Sequence, residues 1–200
     1  MSLALYDTAL GEVVPIEPRE PGKVAMYVCG PTVYGPPHLG HGRFSLVFDV
    51  LRRYLEWSGL DVTYVSNITD IDDQIIDRAN REGRAPEDVA AACEDEWYTA
   101  MDAIGVRRPD EDPHATGWVD GMVGLVGDLV AAGKAYETDD GVYLDVEQVD
   151  DYGVLARQSL DSLRSGARVA VDEQKRSPLD FVLWKKAKPG EPTWPCLLYT

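Results

Sequence analysis

Two hundred residues with 44% hydrophobic and 27% charged side chains exclude a disordered polyelectrolyte and supply enough apolar surface for a core. The balance of 35 acidic against 19 basic residues, a formal net charge of −16, repels polyanions at long range, so contact with nucleic acid requires a local basic patch. No run approaches the roughly 20 apolar residues that cross a bilayer. The opening Met-Ser-Leu-Ala-Leu-Tyr-Asp lacks a basic leader followed by a long apolar run, so no membrane contact and a cytoplasmic location are expected. Three cysteines, Cys29, Cys93 and Cys196, contain no C-x-x-C pair and give neither a disulfide framework nor a self-contained zinc knuckle.

Leu3 to Tyr6 and Glu12 to Ile16 flank a turn at Asp7 to Gly11 and predict a hairpin; Pro15, Pro18 and Pro21 then stiffen the chain. Lys23 to Cys29 predicts a buried strand. A Gly/Pro-rich loop follows, and His38-Leu39-Gly40-His41 opens a helix whose Phe44, Val47, Phe48, Leu51, Tyr54 and Leu55 recur at three- and four-residue steps until Ser58-Gly59. Leu60 to Ile68 predicts the next strand. Strand, helix, strand at these lengths is a right-handed βαβ unit, whose ligands sit beyond the carboxyl ends of the strands, where Cys29 and Asn67 to Asp70 fall. At the start of the helix, backbone N–H groups and the dipole favour phosphate, and two histidines add donors there.

Asp70 to Arg81 predicts a second helix with Ile71, Ile75 and Ile76 inward; its aspartates read as a capping cluster in preference to a metal site, with Asp70 structural. From Pro86, a third carries Val89, Cys93, Trp97, Met101 and Ile104 on one side, which makes Cys93 a packed thiol. His114, in a polar loop, reads as surface. A helix from Trp118 carries Val119, Met122, Val123, Val126, Leu129 and Val130 and stops at Gly133. Tyr136 to Val146, broken at Asp139-Asp140-Gly141, predicts a β-hairpin. Arg157 to Lys188 holds eight basic and four acidic residues; an RNA-facing patch and an ordinary solvated surface fit this equally.

Cys29-Gly30-Pro31-Thr32-Val33-Tyr34 leading into His38-Leu39-Gly40-His41 resembles the signature of class I aminoacyl-tRNA synthetases, and of cysteinyl-tRNA synthetases in particular. Asn67-Ile68-Thr69-Asp70-Ile71-Asp72-Asp73 is similar to that family's second block. Tyr152-Gly153-Val154-Leu155, Ser165-Gly166-Ala167-Arg168-Val169 and the run from Lys175 to Lys185 follow in the family's order. The resemblance implies an α/β fold: a Rossmann-like nucleotide-binding parallel sheet, the first half of the catalytic domain, over 1–115, with a mixed α+β connective insertion over 116–195.

It also implies the chemistry. Cysteine is activated by ATP with Mg2+ to cysteinyl-adenylate and passed to tRNA(Cys), by an expected monomer. His38 and His41 are the implied catalytic residues. Pro31, Thr32, Tyr34, His38, Gly40 and His41 are the implied ATP-binding residues, Cys29, Gly30 and Thr69 the implied amino-acid-binding ones. Cys29 is the implied single ligand here to a zinc that separates thiol from hydroxyl, since a soft thiolate binds zinc far better than a hydroxyl does. The other zinc ligands and a Lys-Met-Ser-Lys-Ser-like loop belong to later blocks, so the 200-residue chain alone is expected to have little or no activity. Residues 196–200, Cys-Leu-Leu-Tyr-Thr, back-translate as TGT CTC TTA TAC ACA, the start of a transposon end used in sequencing libraries. They are expected to be adaptor sequence, with Cys196 no ligand; the DNA across the Pro195 codon decides it. The rival expectations are a paralogue joining cysteine to an amino sugar and a non-catalytic synthetase-derived protein.

Overall fold

A computed structural model describes residues 3–159, 175–188 and 191–194. Its elements are β1 (Ala4–Asp7), β2 (Glu12–Pro15), β3 (Lys23–Val28), α1 (Leu39–Trp57), β4 (Asp61–Ser66), α2 (Asp73–Glu82), α3 (Pro86–Ala103), α4 (Val119–Ala131), β5 (Ala135–Glu137), β6 (Gly141–Leu144) and β7 (Phe181–Lys185). They form two compact units, Pro18–Val119 and the combination of Met1–Glu17 with Asp120–Thr200.

In the unit Pro18–Val119, β3 and β4 pair in parallel from Lys23 opposite Asp61 to Val28 opposite Ser66, with α1 as their crossover. The βαβ unit read from the sequence is therefore present. Pairing continues past both strand ends through a parallel bridge between Thr32 and Thr69. A third extended segment runs parallel along β4: Ser66 donates to the Glu111 carbonyl, Ile68 to that of Pro113, and Ala115 to that of Ile68. The polar, proline-flanked 110–115 stretch has no apolar alternation, which is why it reads as a loop. Under the sheet, Val33, Ile68, Ile75, Ala79, Val89, Ala90 and Cys93 form one apolar cluster, which seats Cys93 where its helical stripe puts it.

Two expectations change. β3 is not buried throughout: its residues alternate in exposure and only Val28 is fully covered, because a strand in a two-stranded ladder covered on one side shields every second side chain. α1 buries only part of the stripe expected of it: Leu55 is covered and Phe48, Leu51 and Tyr54 are half-buried. Its buried residues are Ser45, Asp49, Arg52 and Leu55, while Phe44 and Val47 are exposed and line an open apolar hollow with Gly40, Arg43 and Phe48. The cause is an ion-pair network. Arg52 donates to Asp110 Oδ1 (2.6 Å), Glu56 Oε1 (3.0 Å) and the Arg108 carbonyl (2.9 Å), and Asp110 Oδ2 accepts from the Tyr64 backbone N–H (2.7 Å). Asp49 accepts from Arg53 Nε (2.7 Å) and the Arg107 backbone N–H (3.2 Å). These bonds stitch α1 to β4 and to the 105–112 segment through polar groups, which is affordable only because each charge is paired.

In the other unit, β1 and β2 form the expected hairpin, and β5, β6 and β7 an antiparallel sheet in that order. Val126 of α4 packs on Ala135 and Val142, with Leu129, Val130, Leu183 and Trp184 at the edge. Asp180 is buried, accepting from Tyr136 Oη (2.7 Å) and the backbone N–H groups of Val146 and Ser177 (both 3.0 Å). That ties the start of β7 to β5 and to the segment just past β6. The expected block 165–169 and residues 160–174 of the basic stretch, with Arg164 and Arg168, lie outside the described residues, as does Cys196.

Candidate active site

Four short segments meet at the carboxyl edge of β3 and β4 or open α1. β3 ends at Val28; Cys29 follows, exposed, and Gly30 donates its backbone N–H to Asn67 Oδ1 (3.0 Å). A Cβ on Gly30 would lie 1.6 Å from the Asn67 carbonyl oxygen, so only glycine lets the two strand ends come this close. The next residues are held by ladder bonds: Thr69 donates to the Pro31 carbonyl (2.9 Å) and Val33 to that of Thr69 (3.1 Å). Val33 is sealed in the core, whereas Tyr34 is exposed and its carbonyl accepts from Arg78 Nη1 (2.9 Å), which also donates to Cys93 Sγ (3.1 Å). The loop carrying Pro31, Thr32 and Tyr34 is thus fixed at both ends by backbone contacts.

The histidine pair builds the start of α1. His38, in extended conformation (φ −120°), is the N-cap, and its Nδ1 accepts from the Gly40 N–H (3.1 Å); reciprocally, His41 Nδ1 accepts from the His38 N–H (3.1 Å). A backbone N–H can only donate, so both Nδ1 atoms are unprotonated acceptors and both neutral rings carry their proton on Nε2. The rings stack with centroids 3.8 Å apart, and the Trp97 ring meets His41 edge-on at 5.4 Å. Burial, then the neighbouring His38, lowers the His41 pKa from its ordinary value, keeping the ring neutral. A Cβ on Gly40 would sit 2.9 Å from His38 Cε1, so glycine here admits the capping ring. The first turn of α1 holds no acidic residue. What results is a helix N-terminus with two Nε2–H donors and no carboxylate, chemistry suited to a polyphosphate.

Thr69 is half-buried beyond β4, and its Oγ1 accepts from Asn67 Nδ2 (3.1 Å). Asp70 is structural as expected, though it does not cap α2: its carboxylate accepts from the Thr116 N–H (3.0 Å) and hydroxyl (2.5 Å), and Asp72 is the cap of α2. His114 is more than surface. Its Nε2 lies 3.0 Å from Glu94 Oε2, and although burial acts to lower its pKa, the hydrogen bond and charge of Glu94 raise it overall. Among the described residues no group of three His, Cys, Asp or Glu could hold a metal ion. Cys29 supplies one exposed thiol, which by itself falls short of a zinc donor set. Asn67, Arg78 and Trp97 carry contacts that no motif spacing announced; the block containing Asn67 and the apolar stripe containing Trp97 were the only signals.

A parallel βαβ unit, with loops at the carboxyl ends of its strands and an imidazole-capped crossover helix, makes this an α/β protein. The chain matches the family model described as "tRNA synthetases class I (C) catalytic domain" over residues 15–198, and it belongs to that family. Among curated proteins it is 47% identical over 194 residues to the cysteine–tRNA ligase of Syntrophotalea carbinolica and 53% identical over 178 residues to that of Nitratidesulfovibrio vulgaris. The first match takes in 97% of this chain and 40% of the relative, the second 88% and 37%. The chain thus spans about two fifths of the length of such relatives. Among solved structures it resembles the LeuRS of Agrobacterium radiobacter K84 in a ternary complex with tRNA and LeuAMS, with a TM-score of 0.51 and 26% identity over 66% of this chain and 17% of that one. It also shares its fold with methionyl-tRNA synthetase of Mycobacterium tuberculosis, with a TM-score of 0.52 and 18% identity over 60% of this chain and 24% of that one.

Proposed function

We propose that these residues form part of an enzyme that activates cysteine with ATP and transfers it to tRNA(Cys). The observation that carries the reading is the reciprocal His38–His41 cap, which leaves two neutral Nε2–H groups at an acid-free helix start. In the first step a cysteine carboxylate oxygen attacks the α-phosphorus of ATP. The bond from that phosphorus to the bridging oxygen breaks, and pyrophosphate leaves with its Mg2+. His38 and His41 hold the phosphate oxygens through Nε2–H as charge builds there, a positioning and electrostatic role without proton transfer. Pro31, Thr32, Tyr34 and Gly40 shape the ATP-facing loop, and Cys29, Gly30 and Thr69 the cysteine subsite. Cys29 is proposed as one thiolate ligand of a zinc whose other donors lie outside the described residues; bound zinc supplies preference for a thiol over a hydroxyl.

Residues 1–115 are proposed as the first part of the catalytic domain and 116–195 as the connective insertion. Monomeric state and cytoplasmic location belong to the same reading; among the described residues no helix is long and apolar enough to cross a membrane. Expression of the complete reading frame that contains these residues should give cysteine-dependent ATP–pyrophosphate exchange and charging of tRNA(Cys). Exchange without charging, but with coupling of cysteine to an amino sugar, would replace the acceptor in this reading; no exchange at all would overturn it.

A further inference from the structure

Asn67, the first residue beyond β4, uses both ends of its amide to join the two strand ends. Its Oδ1 accepts from the Gly30 N–H (3.0 Å) and from the Tyr27 hydroxyl (3.0 Å), and its Nδ2 donates to Thr69 Oγ1 (3.1 Å). The Gly30 contact fixes which end of the amide is oxygen, because a backbone N–H has nothing to offer but a proton. The opposite end is then NH2, so Thr69 Oγ1 can only be the acceptor of that bond. Its single O–H proton is left for an acceptor on the open side of the residue.

We propose that Asn67 is a positioning residue for the amino-acid subsite: it clamps Gly30 against the end of β4 and sets the Thr69 hydroxyl as a donor toward an acceptor atom of bound cysteine. This rests on the reading of the chain as a cysteine-activating enzyme. Asn67→Asp separates the two duties. One carboxylate oxygen still accepts from Gly30 and Tyr27, but the other cannot donate, so the Thr69 hydroxyl turns toward it and is withdrawn from the ligand.

Steady-state exchange kinetics on the complete protein test this. N67D is expected to raise the KM for cysteine about tenfold, the size of one lost hydrogen bond, with the KM for ATP within about twofold. Thr69→Val should raise the cysteine KM by a similar factor, and the N67D/T69V double variant should be no worse than T69V, because both changes remove one interaction. Tyr27→Phe, at an exposed side chain, removes only the second anchor of Oδ1 and should raise the cysteine KM about two- to threefold; it decides the matter if N67D does not fold. An unchanged cysteine KM, equal rises for ATP and cysteine, or additive N67D and T69V effects in an otherwise active protein would overturn the role of Asn67. A wild-type protein without cysteine-dependent exchange would instead overturn the proposed function.

Discussion

Helices α1 and α2 each follow one of the two paired strands through a loop, yet their N-termini are finished in opposite ways. α2 is capped by the Asp72 carboxylate, which accepts from the Gln74 N–H at 2.9 Å, and Asp73 adds a second acid in the first turn. α1 is capped by two imidazoles and has no acid in its first turn. Both solutions satisfy orphan backbone donors. The first neutralises the positive end of the dipole from within the chain; the second leaves that charge for something outside it. On the proposed function, the cap distinguishes a helix start that serves stability from one that serves an anion.

The sharpest way to break this contrast is to give α1 the cap of α2. Aspartate is at least as good an N-cap as histidine, so His38→Asp should leave the melting temperature of the complete protein within a few degrees of wild type. It replaces a donor with a negative charge, and the exchange rate should fall on the order of 100-fold, as when an oxyanion donor is removed. Exchange retained within tenfold would remove His38 from the phosphate site. In the reverse experiment, Asp72→Ala should lower the unfolding free energy by about 1 kcal/mol in urea titration, since it deletes a cap; no loss of stability would show that the Asp72–Gln74 contact contributes nothing.

The smallest effects are those of pH. His41 and His114 lie on opposite sides of the ordinary value of 6.5. Burial lowers His41, so its neutral cap supports the fold above the unfolded pKa, and that support is lost as pH falls through the folded pKa. His114 is raised by Glu94, so its contribution is full below the unfolded pKa and is lost as pH rises through the folded one. Side-chain NMR titration should find His41 titrating below and His114 above 6.5, and Glu94→Gln should bring His114 down while leaving His41 in place. Identical midpoints for the two rings would contradict both environments.

The elements that follow local rules were legible from the residues. The hairpin around Asp7 to Gly11, the strand, loop and helix from Lys23 to Trp57, the stop of α4 at Gly133 and the packed thiol of Cys93 all depend on spacings of a few residues. So did the placing of His38, Gly40 and His41 at a helix start and of Cys29 and Thr69 beyond parallel strands. The failures have a common origin. Helical periodicity assigned the core face of α1 to Phe44 and Val47, but Asp49 and Arg52 turned inward because their partners, Arg107 and Asp110, arrive from 58 residues further on. The 110–115 stretch lacked alternation, so neither its place along β4 nor the pairing of His114 with Glu94 could be read from it.

By itself the sequence determined where the chain turns, where α1 starts with its two histidines, and that a thiol and a threonine follow parallel strands, because backbone preference and capping act between near neighbours. Only the tertiary structure decided which tautomer the two rings hold, that Asn67 bridges Gly30 and Thr69, and that α1 buries Asp49 and Arg52 while Phe44 and Val47 stay exposed. The Asn67–Gly30 bond and the charges buried by α1 join groups tens of residues apart, whereas the ring tautomers rest on bonds within the first turn; in both cases a hydrogen bond has direction and selects donor and acceptor only once the folded backbone has brought the partners to about 3 Å.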